Sequence, residues 1–301
     1  MTIATPAPDS SDSTPVGLVA RPSRAAYWLI APGAIWMTLF LVVPLGMMVY
    51  VSFWSQTTFK IEPILTTKSW VAFFSSDTYL SALWTTIRIW LLVLLSTFVV
   101  GYPTALFVGL FVKNKTLATA LLVLCVIPFW TSFLIRVLAW RPMLGKEGAI
   151  NIILQAFHIT REPIEALLFT ELSVIIGMTQ IYCVFMVGPI AFMLGRIDPN
   201  VIEAARDLGA SFWRIFRTII LPLSMPGVIV GGIFVSVMVL GEFATAAALS
   251  GRKVNMLGNI IVTQVGSLKW AFAAVVGVIL TILMGLVVAG FLRIVDLKRE
   301  L

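Results

Sequence analysis

Six apolar runs, each long enough to cross a bilayer as a helix, constrain this chain more than any other feature. They extend roughly from Tyr27 to Phe53, Leu83 to Val112, Leu117 to Trp140, Phe169 to Leu194, Leu223 to Leu249 and Trp270 to Ile294. A hydrocarbon core about 30 Å thick takes about 20 mainly apolar residues per helical crossing. An unpaired backbone group is costly where there is no water, so runs of this length fold as helices. Charged residues make up 12% of the chain and hydrophobic residues 59%, whereas a soluble domain carries about 25% charge. The expected fold class is an all-α integral membrane protein with six transmembrane helices, solvated by membrane lipid.

The connectors set the orientation. An even number of crossings puts both termini on one side. Arg21 and Arg24 precede the first run, and with Lys113, Lys115, Arg196, Arg206, Arg214, Arg217, Arg293, Lys298 and Arg299 they put eleven basic residues on the side of the termini, a modest excess over the eight on the other side (Lys60, Lys68, Arg141, Lys146, Arg161, Arg252, Lys253 and Lys269). Basic residues close to helix ends favour the cytoplasm, so both termini are expected there, in a multi-pass protein of the inner membrane. Residues 1–26 form an N-terminal cytoplasmic tail whose Ser, Thr, Pro and Asp content reads as disordered. Residues 27–295 form the transmembrane domain, and 296–301 a second cytoplasmic tail. The positive charges follow the first tail instead of opening it, unlike a signal peptide. The net charge of +7 is spread over short connectors with no Lys/Arg block, so no nucleic-acid partner is expected. Cys125 and Cys183 lie inside apolar runs, and His158 stands alone in the outer connector. Neither a disulfide framework nor a metal site is expected. The same connector holds Gly148 to Phe157, with Ile150, Ile153, Leu154 and Phe157 at helical spacing.

The most informative connector is Asp198 to Gly227, reading DPNVIEAARDLGASFWRIFRTIILPLSMPG. Asp198 and Pro199 make a helix start, with an acceptor at the cap and a ring in the first turn. Val201, Ala205 and Leu208 should form one apolar face, and Glu203 and Arg206 can pair three apart. Gly209 supplies a helix stop. Ser211 can cap a second helix with Phe212, Ile215, Ile219 and Ile220 on one side, ending at Pro222. Two short helices joined at a glycine form either a knob that another protein grips or an amphipathic pair lying on lipid. The residues alone leave both readings open.

Glu203-Ala204-Ala205, Gly209 four residues on, and Ile220-Leu221-Pro222 resemble the EAA signature of permease subunits in binding-protein-dependent ABC importers. That resemblance implies that the connector between the fourth and fifth helices is a cytoplasmic coupling helix. Glu203, Ala204, Ala205, Arg206, Asp207, Leu208, Gly209, Ala210 and Ser211 would then dock an ATPase. It also implies the partners: cytoplasmic ATP-binding subunits, a second permease subunit and a soluble solute-binding protein outside. Pro128 to Arg136 (PFWTSFLIR), Gly148-Ala149-Ile150-Asn151, and Leu240-Gly241-Glu242-Phe243 followed by Ser250-Gly251 resemble the polyamine-type branch. That branch usually carries Asp where Glu242 stands and Pro where Ala246 stands.

Ionisable groups within apolar runs mark function by default, because a charge in lipid is costly. Arg88 and Arg136 lie near run ends, where they can snorkel; Glu242 lies deeper. Glu242 either lines a cation path or pairs with an arginine as a brace between helices. Glu242, Arg136 and Tyr182 are the expected path residues, with burial by a hydrogen bond as the alternative for Tyr182. Gly227 and Gly231 read as a helix-packing pair. Gly109 to Thr116 (GLFVKNKT) falls short of a phosphate loop, since Asn114 replaces the second glycine. The chain is therefore expected to be no enzyme and to bind no cofactor, with ATP and Mg used by a partner ATPase. The rival reading is a secondary transporter or channel independent of ATP. Such folds often carry internal repeats, and none is evident.

Overall fold

The computed structural model describes residues 24–56, 61–112, 114–251 and 253–294. The two expected tails, apart from residues 24–26, lie outside the described residues, as do Lys113 and Arg252. The chain divides into two units, residues 1–47 and 48–301. The first contains α1 (Arg24–Met37), a π turn (Thr38–Val42) and the start of α2 (Val43–Ser52). Trp28–Ser52 is apolar and long enough to cross a membrane.

The second unit continues with a two-stranded antiparallel ribbon, β1 (Trp54–Gln56) and β2 (Ile61–Leu65), then α3 (Lys68–Phe74). Next come α4 (Asp77–Leu106), α5 (Lys115–Val126), α6 (Phe133–Leu144), α7 (Ala149–Ala156) and α8 (Glu171–Leu194). The chain then forms α9 (Pro199–Asp207), α10 (Phe212–Ile215), α11 (Leu221–Leu240), α12 (Ala244–Leu249), α13 (Leu257–Gly266) and α14 (Trp270–Ile294). Five helical stretches can each span a membrane: Trp28–Ser52, Asp77–Phe111, Glu171–Leu194, Phe212–Leu240 and Trp270–Ile294. The third apolar run folds differently from a straight crossing. Lys115–Trp130 and Phe133–Ala156 meet at 94°, and the count reaches six if this bent pair is one span. The bend follows from Pro128 in a 3-10 turn (Ile127–Trp130) and from extended backbone at Thr131. The amphipathic stretch in the outer connector forms α7 as expected.

Hydroxyl groups along α4 are satisfied by the helix itself. Thr86, Thr97 and Thr104 donate to Ala82, Val93 and Val100 carbonyls at 2.8 Å. This back-bonding suits a helix that has no water beside it. Thr86 Oγ1 also accepts the Leu257 amide at 2.9 Å, anchoring the start of α13.

The principal core lies between α4, α8 and α11, with Ile89, Val93, Met178, Met186, Ile190, Val235 and Val239 all at or near zero exposure. Small residues bring the helices together. A Cβ on Gly227 would stand 2.6 Å from the Pro189 carbonyl oxygen and 2.9 Å from Ile190 Cα, and one on Gly231 3.1 Å from the Phe185 carbonyl oxygen. The Gly227–Gly231 pair is thus a packing surface for α8, as its spacing indicates. The Tyr102 hydroxyl and Ser224 Oγ, 2.8 Å apart, join α4 to α11 nearby.

Gly227→Ala should therefore overpack a contact made by backbone, which cannot move aside, and lower the melting temperature in detergent by a few degrees. Gly188→Ala has no atom within 4 Å of its new methyl and should not. Equal melting of the two variants would count against the packing argument.

Candidate functional site

The connector after α8 forms the helix–glycine–helix knob. Asp198 Oδ1 accepts the Asn200 amide at 3.0 Å, and Pro199 opens α9. Gly209 takes φ +78°, where a Cβ is strained, and its amide reaches the Arg206 carbonyl at 2.8 Å. Ser211 Oγ accepts the Arg214 amide at 3.4 Å and starts α10.

Three sequence expectations change here. The inward face of α9 is Ile202 and Ala205, joined by Ala210, all packed on the main core. Val201 and Leu208 point away, Leu208 at 88% exposure. Leu208 occupies the cap that leads into the glycine turn, off the helical register that would have turned it inward. Glu203 and Arg206 form no ion pair, and both are exposed. Pro222 does not end the second helix: a π turn at Phe216–Ile220 carries it into α11. The wider turn leaves room for the residue that lacks an amide hydrogen. The stretch Glu203 to Ser211 is thus a projection whose charges have no ion-pair partner among the described residues, with an exposed leucine beside its glycine turn.

The second site lies where α11 breaks. Gly241, Glu242 and Phe243 leave the helix before α12 begins. Glu242 is 6% exposed. Its Oε1 accepts the Thr245 amide at 2.9 Å, capping α12, and the Tyr182 hydroxyl donates to Oε2. Gly258 packs so closely that a Cβ would stand 2.7 Å from the Glu242 carbonyl oxygen. Asn259 Nδ2 donates to the Phe243 carbonyl at 2.9 Å. The far end of α12 is held as firmly. Arg141 Nε reaches the Ala248 carbonyl at 2.9 Å, while the Phe169 amide (3.1 Å) and Ser173 Oγ (2.9 Å) reach that of Leu249.

Glu242, Tyr182 and Arg136, far apart in sequence, line one cavity of 460 Å³ with Phe129, Phe133 and Phe185. Arg136 lies 4.8 Å over the Phe129 ring and donates to the Thr131 carbonyl at 3.2 Å. It makes no ion pair with Glu242, and Arg88 pairs with Glu171 at 2.5 Å. The arginine brace foreseen for Glu242 is absent among the described residues. A tyrosine hydroxyl and a helix amide take its place. Tyr182 stands 11 residues into α8 and 12 before its end, or about 16 and 18 Å at 1.5 Å per residue. The carboxylate therefore sits near mid-bundle. Two bonds leave the Glu242 carboxyl group with spare acceptor lone pairs, and phenyl rings share the cavity with it. The Thr245 contact escaped sequence reading. Its signal was a carboxylate three residues before the amide it caps.

Residues 101–300 match the family described as binding-protein-dependent transport system inner membrane component. The chain is 34% identical over 262 residues to the spermidine/putrescine transport system permease protein PotB of Haemophilus influenzae, covering 86% of this chain and 90% of that protein. It is 33% identical over 259 residues to PotB of Escherichia coli K12, covering 86% and 93%. A solved bacterial alginate ABC transporter, in complex with an alginate pentasaccharide-bound periplasmic protein, contains a chain of the same fold. Its TM-score is 0.70 at 17% identity, over 92% of this chain and 95% of that one.

Tyr182→Phe removes one donor from a buried carboxylate. It should cost about 1–3 kcal/mol, read as a lower melting temperature of the purified protein. An unchanged melt would show that the bond carries no weight.

Proposed function

We propose a small organic amine of the polyamine kind as the cargo of this chain, which belongs to the family of binding-protein-dependent inner-membrane transport components and is a permease subunit of an ABC importer. One observation carries the cargo reading: a carboxylate with spare acceptors faces an aromatic cavity near mid-bundle. Attraction to an ammonium is stronger there than in water, because the local dielectric is lower. The relatives named for spermidine and putrescine support the same class. Glu242 is the cation-facing group in this reading, with Tyr182 and Arg136 on the same wall.

The knob from Glu203 to Ser211 seats in a cytoplasmic ATPase, and both termini share that side of the membrane. ATP and Mg are used by the ATPase, and this chain binds neither. A second permease subunit completes the path, and a soluble binding protein delivers the solute outside. The solved relative's complex with a periplasmic protein supports that last partner. ATP closes the ATPases, the seated knobs move with them, and the bundles expose the cavity to the other side. Water entering then weakens the hold on the amine.

Glu242→Gln keeps the shape and removes the charge. Losing one charge-assisted bond, about 1.5–3 kcal/mol, predicts uptake of labelled amine reduced about 10- to 100-fold while the complex still assembles and hydrolyses ATP. Normal uptake of every amine tested would exclude the role, and loss of assembly would make Glu242 a brace.

Gly209→Val forces a β-branched residue to φ +78° and should uncouple hydrolysis from uptake or release the ATPase. Survival of assembly, coupling and transport together would disprove the docking assignment. A C-terminal reporter fusion should be active only as a cytoplasmic marker. Cleavage of that tail by protease from the periplasmic face would sink the topology.

A further inference from the structure

A second and larger cavity, 1010 Å³, opens at the knob end of the bundle. Its walls are the π turn after α4, the first half of α5, the end of α8, and α9 with α10. It exists because α5 buries none of its residues and so stands off from α8, which buries Leu194 and Ala191 nearby. The lining mixes two kinds of side chain. Phe111, Phe192 and Phe212 remain 56%, 59% and 51% exposed. Lys115, Arg196 and Arg206 supply three cations, against Glu203 as the one carboxylate in the lining. Among the described residues, none of the three cations has an ion-pair partner. Arg196 lies 4.4 Å over the Phe192 ring. Lys115 is the first residue of α5, so the positive end of that helix adds to the same field.

We infer that this cavity holds an anionic phospholipid, its phosphate against Lys115, Arg196 and Arg206 and its upper acyl chains against the three phenyl rings. The leaflet follows from the topology proposed above, which puts this end at the cytoplasmic face. Phe111 and Phe192 belong to stretches long and apolar enough to span a membrane, Asp77–Phe111 and Glu171–Leu194. The cavity thus lies at the edge of the bilayer, where a lipid enters sideways. A soluble phosphate would satisfy the cations and leave three rings in water, whereas an acyl chain covers them. A zwitterionic lipid would bring its own ammonium against the arginines. Basic pockets between membrane helices on the cytoplasmic side suit anionic headgroups for this reason. A lipid seated there would touch both α5 and α9, joining the coupling knob to a helix that packs loosely on the rest.

The test uses the assembled transporter, with its ATPase and partner permease, in vesicles of phosphatidylcholine with or without phosphatidylglycerol. After extraction, native mass spectrometry weighs the retained lipid. The wild type should keep phosphatidylglycerol in preference to phosphatidylcholine. The double variant Lys115→Gln, Arg196→Gln should keep about thirtyfold less, the effect of two charges near a headgroup. Neither residue belongs to the docking stretch Glu203 to Ser211, so assembly should be unchanged. Equal retention by the variant, or no preference between the two lipids, would overturn the site. Displacement of the lipid by inorganic phosphate would reassign it to a soluble anion. A photoreactive residue in place of Thr119, also in the lining, should label lipid; labelling of the ATPase would put protein there and overturn the inference. The C-terminal reporter decides the leaflet independently, so failure of the lipid assay and failure of the topology are told apart.

Discussion

A peptide group in hydrocarbon has no water to turn to, and the break after α11 is arranged around that fact. The break after α11 frees an amide at the start of α12 and carbonyls on either side. Glu242 takes up the Thr245 amide, Asn259 the Phe243 carbonyl, and Arg141 and Ser173 the last carbonyls of α12. The carboxylate that looks most expensive in sequence is thus the group that makes the break tolerable. Its own cost is offset by the tyrosine hydroxyl and by the positive end of the short helix it caps.

The same constraint explains which sequence signals could be read and which could not. Asp198, Pro199, Gly209 and Ser211 act on backbone within three or four residues, so the helix–glycine–helix path of the knob was legible. The spacing of Gly227 and Gly231 likewise announced a packing face, since small residues recur where membrane helices approach. The apolar face of α9 was misread because Leu208 leaves the helical register at its cap, and periodicity assumes that register. Pro222 was misread as a stop because the π turn that accommodates it has no sequence mark of its own.

Longer-range arrangements were less visible for a different reason. The 94° bend of the third run depends on Pro128 together with extended backbone at Thr131, and apolar composition continues through both. Glu242 was singled out by the cost of burying charge. Its partner, Tyr182, lies 60 residues away, and Arg88 and Arg136 were the partners that the sequence suggested. Only the fold could choose, and it chose a neutral donor. An arginine would have brought a full charge to the carboxyl group, whereas the hydroxyl brings only a dipole.

The order of elements ties the two sites together. The knob is the connector between α8 and α11, since α9 and α10 are all that separates them. Those two helices also carry the cavity's hydrogen-bonded pair: Tyr182 sits midway along α8, and Glu242 just past the end of α11. They are packed through glycines against backbone at Gly227 and Gly231, which leaves little room for one to slide on the other. The knob therefore joins two helices that are packed backbone to backbone. The helix stops beyond them, at Gly241 to Phe243, and α12 is held at its far end by Arg141, Phe169 and Ser173. The break at Glu242 is therefore held from both sides, by the Tyr182 hydroxyl of α8 and by the Thr245 amide of α12.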